Sequence, residues 1–557
     1  MILDKKDYND RMEQLLSDTT KFKKLDISPG KDYNFVINQE LRISKTLKEM
    51  RNRGAMTDHL YNRLNPTGTQ PSVMYGLGKI HKPLIDSIPK FRPILSAINT
   101  PTYKLSQYIN QLLKPFTTNE FTARDSFAFA KDIRSQDHTQ FMCSLDVDSL
   151  FTNIPLIETV NICADLLFAD RFICDGLTKT DFINLLTMAT TESFILFNGS
   201  YYKQVDGVAM GSPLGPTLAN IFLGHNERQW LMDCPTKFKP TYYRRYVDDI
   251  FVLFNDKSHL EQFKTYFNAQ HPNMNFTSEI EIDNALAFLD VHVIRDLTSF
   301  NTSVYRKPTF SGVYTNHDSY IPLIYKTGLV STLLQRSFRI CTSWTQIDIE
   351  IKKIKSILTM NAYPTMLLDR LISKFLNNVN NPAVIHTVEP QTLQIMLPFL
   401  GNFTKRVENK IRHSMKQHLP SVKINFIYKA SSRLRTLLSF KDKLPSQLTS
   451  GIVYKYTCSR CKSTYIGETI RHAKRRFCEH LGTSALSNKP VLNPAPSRIR
   501  DHKKHCSIES SISDFSIIAR DCVNEQRLLI KEALLIQKEK PNMNIQGAST
   551  PLFLFKN

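Results

Sequence analysis

Two adjacent carboxylates, Asp248 and Asp249, lie between two strand-like runs and constrain the fold more than any other feature of the chain. The sequence YVDD at 246–249, followed by IFVLF, predicts a strand, a tight turn and a second strand, with both acids at the turn. Because Asp tolerates turn geometry, the pair alone is typical of a surface hairpin. A second apolar run at 141–145 ends in Asp146 and predicts another strand that could bring a third carboxylate to the pair.

Length and charge indicate several domains and a polyanionic partner. The chain has 557 residues, which is too long for one ordinary domain, and a net charge of +21, which favours nucleic acid or a membrane surface. No apolar run approaches the roughly 18 residues of a spanning helix, so no membrane partner is expected. Residues 401–480 hold 18 Lys and Arg against 4 Asp and Glu, so a net charge of +14 lies in this segment.

Changes in periodicity and composition divide the chain into five segments. Between residues 92 and 310, β-type runs alternate with helical stretches such as 157–169 and 258–268, which predicts a sheet backed by helices in an α+β domain. Pro364 marks a break in the helical periodicity that follows. The predicted segments are an N-terminal helical segment (1–70), the α+β domain (71–314), a helical subdomain (315–400), a basic linker (401–447) and a small C-terminal α/β domain (448–549).

Three motifs follow the order of reverse-transcriptase motifs. They are DVDSLFTNIP at 146–155, GVAMGSPLGP at 207–216 and YVDD at 246–249. They resemble the motifs of Penelope-like retroelements, whose polymerases are similar to telomerase reverse transcriptases. This resemblance implies a multidomain α+β protein with a right-hand palm and fingers polymerase and a helical thumb. Further stretches resemble the fingers and later palm motifs of the same family, at 75–83, 92–94, 288–291 and 305–308.

The resemblance implies a metal site built from three carboxylates. Asp146, Asp248 and Asp249 would hold two Mg²⁺ (or Mn²⁺) ions about 3.5 to 4 Å apart, which activate the primer 3′ hydroxyl and neutralise the triphosphate. Asp249 is expected to tolerate substitution best. Asp148 lies two residues from Asp146, hence on the same strand face, and is interpreted as a solvated or supporting acid.

A second group of residues is expected to contact the template and the incoming nucleotide. Phe151 matches the aromatic position that excludes a 2′ hydroxyl in this family, although an ordinary core Phe is the alternative. The glycines of 207–216 permit close backbone approach, and basic side chains can pair with triphosphate oxygens. The implied substrate-binding residues are Lys79, Lys82, Arg92, Phe151, Gly211, Ser212 and Pro213.

The C-terminal segment carries a second signature. GIVY at 451–454 and YIG at 465–467 resemble the two halves of the GIY-YIG endonuclease motif. Two tyrosine-bearing strands paired in a hairpin would bring Tyr454 and Tyr465 to one surface. The similarity to this family implies one nuclease metal ion, in contrast to the two of the polymerase.

The remaining nuclease residues are assigned by the same resemblance. Arg476 and His480 are four residues apart, on one face of a predicted helix. Arg476 would be the transition-state cation, and Arg475 competes for this role but lacks the four-residue spacing. The resemblance further implies Glu532 as the metal ligand, either His480 or Tyr454 as the base, and Asn544 as a support of the site.

Cysteine and histidine spacing inside the nuclease segment indicates a structural Zn²⁺ site. Cys458 and Cys461 have the two-residue gap of a zinc knuckle, and His502 with His505 can complete a closed tetrahedral site. Cys506 is the alternative fourth ligand. The Penelope-like nuclease carries a similar insertion.

These resemblances imply an RNA-directed DNA polymerase coupled to a DNA-nicking endonuclease, for target-primed reverse transcription. The expected partners are an RNA template, a DNA target that also supplies the primer, and dNTPs, in a nuclear setting. Family members have sequence upstream of a segment like 1–70, so this segment is expected to be an incomplete fingers region. The alternatives are a truncated or inactive nucleic-acid-binding protein, or a nuclease with a vestigial polymerase; the intact acids argue against decay.

Overall fold

The structure is a computed structural model of the chain. It describes two compact units, each considered by itself: Met1–Asn119 with Ser149–Gln229 and Lys441–Asn557, and Glu120–Asp148 with Trp230–Phe440. No helix in the described part of the chain is long and apolar enough to cross a membrane. The described residues are 3–26, 34–80, 84, 88–169, 176–191, 194–380, 392–429, 444–507, 509–521 and 525–544.

Helices and strands are mixed throughout the described part of the chain, which confirms the α+β prediction. The predicted helical stretch 157–169 is observed with nearly the same bounds. Up to residue 232 the elements are α1 (Lys5–Leu16), β1 (Phe22–Leu25), α2 (Asn34–Asn52), α3 (Asp58–Leu64), β2 (Ser72–Gly78), β3 (Phe91–Ser96), α4 (Tyr103–Leu113), α5 (Ser126–Asp132), β4 (Phe141–Val147), α6 (Leu150–Asn153), α7 (Leu156–Ala169), α8 (Lys179–Thr191), β5 (Phe194–Phe197), β6 (Ser200–Gln204) and α9 (Gly215–Met232).

The second half of the chain begins with the predicted hairpin around 246–249. The elements are β7 (Tyr242–Tyr246), β8 (Asp249–Phe254), α10 (His259–Asn268), β9 (Phe276–Ile280), β10 (Ala285–Phe288), β11 (Val291–Arg295), β12 (Phe300–Val304), α11 (Leu323–Ile340), α12 (Trp344–Met360), α13 (Thr365–Asn380), β13 (Thr392–Pro398), α14 (Asn402–His418), β14 (Lys423–Lys429), β15 (Ile452–Thr457), β16 (Thr464–Thr469), α15 (Ala473–Leu481), α16 (Arg498–Cys506), β17 (Phe515–Arg520) and α17 (Glu525–Glu539).

The first unit contains two sheets. The larger has the order β1-β6-β5-β2-β3, in which β2 and β5 are parallel and the other pairs antiparallel. The smaller is an antiparallel sheet of order β16-β15-β17, covered on both faces. Tyr454 and Tyr456 pack with Phe477 of α15 on one face, whereas Val453 and Ile466 pack with α17 on the other. The alternation of β15 thus decides which side chains face α15.

The second unit is built on the antiparallel sheet β7-β8-β4-β9. All five residues of the IFVLF run at 250–254 are buried, because α5 and the three-stranded sheet β10-β11-β12 cover one face of the sheet and α10 covers the other. Phe251 packs on Phe129 of α5, and Phe254 packs on Phe263 of α10. This packing holds the hairpin tip and the end of β4 at one end of a rigid sheet.

The segment after residue 315 differs in one respect from the predicted division. Helices α11 to α13 occupy most of the predicted helical subdomain, with the break at Pro364 as expected. However, β13 and β14 pair in parallel around α14, so a βαβ motif at 392–429 crosses the predicted boundary at residue 400. The pairing joins residues about 30 positions apart, and local periodicity does not report such long-range pairing.

Candidate functional sites

The three predicted metal-binding carboxylates lie together in the second unit. β4 pairs with β8 so that Asp146 is directly opposite Asp249. Asp248 lies in the two-residue turn between Tyr246 and Asp249, and the Val147 N–H donates to its carbonyl oxygen at 3.2 Å. Two strand ends therefore supply carboxylates to one place, as the sequence predicted.

The turn is held in an unusual backbone conformation. Val247 has φ +58°, the sign that type II′ hairpin turns require at this position and that normally favours Gly. A β-branched residue in this region costs about 1 to 3 kcal/mol, which the surrounding structure must offset. Arg245, which is fully buried, donates from Nη1 to the Val247 carbonyl at 3.1 Å. No local sequence signal indicates this role for Arg245.

The carboxylates repel one another, and Asp249 carries most of the effect. Burial, followed by the negative charges of Asp248 and Asp146, raises the pKa of Asp249 from 3.8 to about 6. Lys307, from the predicted late palm motif, opposes this shift. Convergent oxygens with unbalanced negative charge are the donor set that Mg²⁺ or Mn²⁺ prefers, so these residues fit the implied ions.

The residues expected to contact the nucleotide and template lie in the first unit. Arg92 is exposed on β3, across the ladder from Leu77, and Lys79 follows β2 with its N–H donated to the Lys90 carbonyl at 2.8 Å. Phe151 is half-buried on α6, so it is not a fully enclosed core residue. Lys82 lies outside the described residues.

The glycines of the 207–216 loop have an internal explanation. A Cβ at Gly207 would lie 2.6 Å from the Thr152 carbonyl oxygen, and both Gly207 and Gly211 have positive φ. A Cβ at Gly211 would overlap the Leu95 carbonyl oxygen of β3. Both glycines therefore permit approach by the chain's own backbone, while the approach of a template or nucleotide at Gly211, Ser212 and Pro213 stays a prediction.

The residues predicted to form the nuclease site surround the hydroxyl of Tyr454. This hydroxyl lies 2.6 Å from His480 Nε2 and accepts a hydrogen bond from Arg476 Nε at 3.1 Å. The Tyr465 ring centroid is 6.4 Å from that of Tyr454. Gly467 pairs with Tyr454 across the hairpin, and a Cβ there would lie 2.6 Å from the Tyr454 hydroxyl. The glycine of YIG thus leaves the space that the Tyr454 hydroxyl occupies.

Burial sets the protonation of this group. It raises the pKa of Tyr454, and it lowers the pKa of His480 to about 3, so the imidazole is neutral at physiological pH. Because the Tyr454 oxygen already accepts from Arg476, the Tyr454 proton can be donated to Nε2 of His480. His480 Nδ1 then donates to the Ser497 hydroxyl at 2.8 Å. Ser497 was missed by the sequence reasoning, although it caps α16.

Glu532 and Asn544 lie near the same site: Glu532 is a buried acid, and Asn544 bonds the backbone of β16. Burial, then the nearby Glu468 carboxylate, raises the pKa of Glu532 to about 7. Asn544 makes two hydrogen bonds to the backbone of Ile466, accepting from its N–H at 2.9 Å and donating to its carbonyl at 2.8 Å. β16 is an edge strand, so Asn544 supplies the partner that a further strand would.

The structure corrects one predicted zinc ligand. The ligand atoms of Cys458, Cys461, His502 and Cys506 all lie within 4.8 Å of one another, and His505 is not among them. His505 is exposed on α16, whereas Cys506, at the end of that helix, faces Cys458 with 3.9 Å between the sulfurs.

The donor set of this cluster fits Zn²⁺. Tetrahedral Zn–S bonds of about 2.3 Å would separate two sulfurs by roughly 3.8 Å, close to the 3.9 Å between Cys458 and Cys506. Cys461 Sγ lies 3.2 Å from His502 Nε2. A hydrogen bond from Ser463 is the main cause that lowers the pKa of Cys461 to about 6, which favours the thiolate that binds metal.

Comparison with known proteins gives two family matches. Residues 80–277 match the family described as reverse transcriptase (RNA-dependent DNA polymerase), and residues 313–373 match the animal helix-turn-helix domain. The first match includes Asp146, Asp248 and Asp249. No curated protein matches the chain.

Similar solved structures are distant. A telomerase from Candida albicans in complex with a TWJ fragment of telomeric RNA is 12% identical, with a TM-score of 0.38, over 75% of this chain and 65% of that one. A truncated apo telomerase from Candida tropicalis is 11% identical, with a TM-score of 0.32, over 42% and 56%. The Sicinivirus 3Dpol RNA-dependent RNA polymerase is 11% identical, with a TM-score of 0.38, over 57% and 71%. The chain thus spans less than two thirds of these telomerase chains.

Proposed function

The chain carries a reverse transcriptase domain, and on this premise we propose that it is the polymerase of a Penelope-like retroelement coupled to a GIY-YIG endonuclease. The nuclease nicks a DNA target, and the exposed 3′ hydroxyl primes copying of an RNA template from dNTPs. The opposition of Asp146 and Asp249 across β4 and β8, with Asp248 in the adjoining turn, is the observation that carries the polymerase proposal.

In the polymerase site, Asp146, Asp248 and Asp249 would hold the catalytic metals, and neighbouring residues position these acids. Bound Mg²⁺ or Mn²⁺ ions would lower the pKa of the primer hydroxyl and neutralise charge on the triphosphate. Arg245 fixes the strained turn through the Val247 carbonyl, and this keeps Asp248 directed beside Asp249. The raised pKa of Asp249 means that a bound cation would balance a charge that burial and the two neighbouring acids disfavour.

In the nuclease site, the proposed reaction is hydrolysis of a phosphodiester bond by water. Water attacks the phosphorus while its proton passes to the Tyr454 oxygen and the Tyr454 proton moves to Nε2 of the neutral His480. The bond from phosphorus to the 3′ oxygen breaks, and this oxygen takes a proton from solvent and leaves as the 3′ hydroxyl. Arg476 stabilises charge on both the Tyr454 oxygen and the transition state. Glu532 would hold the single metal, and Asn544 supports the strand that carries Tyr465 and Gly467.

The cysteine cluster has a structural role in this proposal. A Zn²⁺ held by Cys458, Cys461, His502 and Cys506 would be closed to water, because four protein ligands fill a tetrahedral site. It would join the β15–β16 loop to α16, and α16 begins at the Ser497 cap that contacts His480. The metal therefore supports the nuclease site without taking part in hydrolysis.

Two activities on one chain suit target-primed reverse transcription. A nicked end that stays near the polymerase is presented at high effective concentration. The basic region at 401–480, together with the other cations that give the chain its +21 charge, would hold DNA and RNA through their phosphates. Because the target is genomic DNA, the protein would act in the nucleus.

A crossed pair of assays tests both activities. Primer extension on an RNA template with Mg²⁺ and dNTPs should be abolished by Asp248→Ala, while nicking of supercoiled plasmid should be unchanged. Tyr454→Phe should lower nicking by about 10²-fold or more and leave extension intact. Tyr456→Phe is the matched control, because Tyr456 lies on the same strand face but bonds Ser510. A wild-type chain that fails to extend the primer refutes the polymerase, and one that fails to nick refutes the nuclease.

A further inference from the structure

Within the first unit, α2 packs directly against the nuclease segment. Val36 and Ile37 of α2 are fully buried against Leu448, and Leu486 packs beside them. Asn34 lies at the edge of this contact, where its amide donates to the Leu486 carbonyl at 2.8 Å. Residues more than 400 positions apart thus share one small core.

Polar contacts continue the same interface toward α15. Lys474, in the first turn of α15, donates to the Asn34 side chain at 2.8 Å. Ser450, just before β15, donates to the Gly68 carbonyl at 2.6 Å. A Cβ at Gly68 would overlap the Ile470 carbonyl oxygen, so close backbone approach here requires glycine. The contact is therefore specific in its backbone geometry as well as in its side chains.

Glu40 is the buried centre of this interface. Its side chain is 1% exposed, and Oε2 accepts from the Thr69 N–H at 3.0 Å and from the Thr69 hydroxyl at 2.9 Å. Its other oxygen, Oε1, has no hydrogen-bond partner among the described residues and faces two cationic or titratable groups. These are Arg475 Nη1 at 3.6 Å and His472 Nδ1 at 3.9 Å.

Both partners of Glu40 are at the start of the helix that carries the nuclease residues. His472 is the N-cap of α15, is fully buried, and bonds the Thr69 carbonyl through Nε2 at 2.6 Å. Arg475 precedes Arg476 by one residue. Successive residues on a helix are about 100° apart, so Arg475 faces Glu40 while Arg476 faces Tyr454.

Stability alone does not explain a buried carboxylate at this point. Desolvation of an ion pair often costs more than its attraction returns, and apolar residues of similar volume are frequently as stable. A buried carboxylate does restrict the orientation of its partners, because their N–H groups must point toward its oxygens. We propose that Glu40 is a positioning residue of the nuclease: by attracting Arg475, and by fixing Thr69, whose carbonyl accepts from His472, it orients α15 so that Arg476 and His480 reach Tyr454. This inference rests on the proposed nuclease function.

The test compares two identical substitutions on α2 in the full chain. Glu40→Gln keeps an oxygen for Thr69 but removes the charge that faces Arg475. Glu49→Gln is the matched control, because Glu49 is 64% exposed on the same helix. Glu40→Gln should lower kcat for plasmid nicking by about 10- to 100-fold with little change in KM, because misplacement, not weaker binding, is the defect. Glu49→Gln should nick at the wild-type rate, and primer extension confirms that each chain is folded.

A second variant tests the same contact from Arg475, and hydrogen exchange tests the position of α15 without relying on nicking activity. Arg475→Gln removes the other side chain of the Glu40–Arg475 contact, at a half-exposed residue, and should lower nicking by a similar factor. The double variant should nick no more slowly than Glu40→Gln alone. Hydrogen exchange of the 472–481 backbone should rise in Glu40→Gln, while exchange in β15 should not.

The two measurements separate this inference from the proposed function. Wild-type nicking and unchanged 472–481 exchange in Glu40→Gln would overturn the inference. If the wild-type chain does not nick, the proposed nuclease fails, yet increased exchange in 472–481 would still uphold positioning of α15 by Glu40, and unchanged exchange would overturn it.

Discussion

Substitution of Asp249 by Asn should make the protein more stable while it impairs polymerisation. The buried carboxylate of Asp249 faces Asp248 and Asp146, and burial with this repulsion raises its pKa from 3.8 to about 6. That difference corresponds to about 3 kcal/mol of disfavoured ionisation above pH 6. Because the side chain is half-buried and solvent screens the repulsion, we expect about 1 to 2 kcal/mol of stabilisation from Asp249→Asn at pH 8.

The pH dependence follows from the direction of this shift. A carboxyl whose pKa is raised on folding disfavours the folded state where it is ionised. This penalty is complete above pH 6, decreases as the pH falls below about 6, and disappears once the pH is below the ordinary value of 3.8. For a unit of this size, 1 to 2 kcal/mol corresponds to a rise in melting temperature of about 3 to 6 °C. The rise should be present in full at pH 8 and nearly absent below about pH 4.

Thermal unfolding without divalent cations is the assay, followed by circular dichroism or dye fluorescence at both pH values. Asp148→Asn is the control, because Asp148 is an exposed acid at the same strand end and should change stability by less than about 0.5 kcal/mol. Primer extension should fall less in Asp249→Asn than in Asp146→Asn or Asp248→Asn. A variant that melts at or below the wild-type temperature at pH 8, or that gains equally at pH 4, refutes the electrostatic reasoning.

Three further outcomes are expected. Gly467→Ala should cost about 1 to 3 kcal/mol and lower nicking by about 10²-fold, because the new methyl displaces the Tyr454 hydroxyl; plasmid nicking checks this, with Gly328→Ala, in open space on α11, as control. Cys506→Ser should lose bound zinc while His505→Ala retains it, measured by metal analysis of the purified chains; equal loss in both would contradict the observed ligand set. DNA binding followed by fluorescence anisotropy should weaken by about 10³-fold or more between 50 and 200 mM salt, and a flat response would argue against phosphate contacts.

Sequence reasoning located those features that depend on neighbouring residues. The hairpin at 242–254 was predicted because a two-residue turn with acids between strand-like runs is a local signal. The helices at 156–169 and 259–268 differ by only one residue at their starts from the predicted 157–169 and 258–268, because helical periodicity is local as well. The placement of Arg476 and His480 on one helix face followed from their spacing alone.

Features that depend on distant pairing were not predictable in the same way. His502, His505 and Cys506 share one helical turn, so spacing could not decide which of the last two turns toward Cys458. The parallel pairing of β13 with β14 joins segments separated by a helix, and it crossed a boundary that composition had suggested. The contact of Glu40 with Arg475 joins residues over 430 positions apart, and nothing in either local sequence indicates it.

The two neighbouring arginines of α15 illustrate what a motif leaves undetermined. Spacing selects Arg476 as the residue that acts with His480, and the geometry agrees, since Arg476 contacts the Tyr454 hydroxyl. Arg475 faces the buried Glu40 instead. Loss of nicking on substitution of Arg475 would therefore not identify a DNA contact, because the same loss would follow from release of α15. A double-mutant cycle with Glu40 separates the two explanations. If Arg475 contacts DNA, the losses of nicking from the Arg475 and Glu40→Gln substitutions should add in the double variant. If the two residues form one positioning contact, the double variant should lose no more than either single variant.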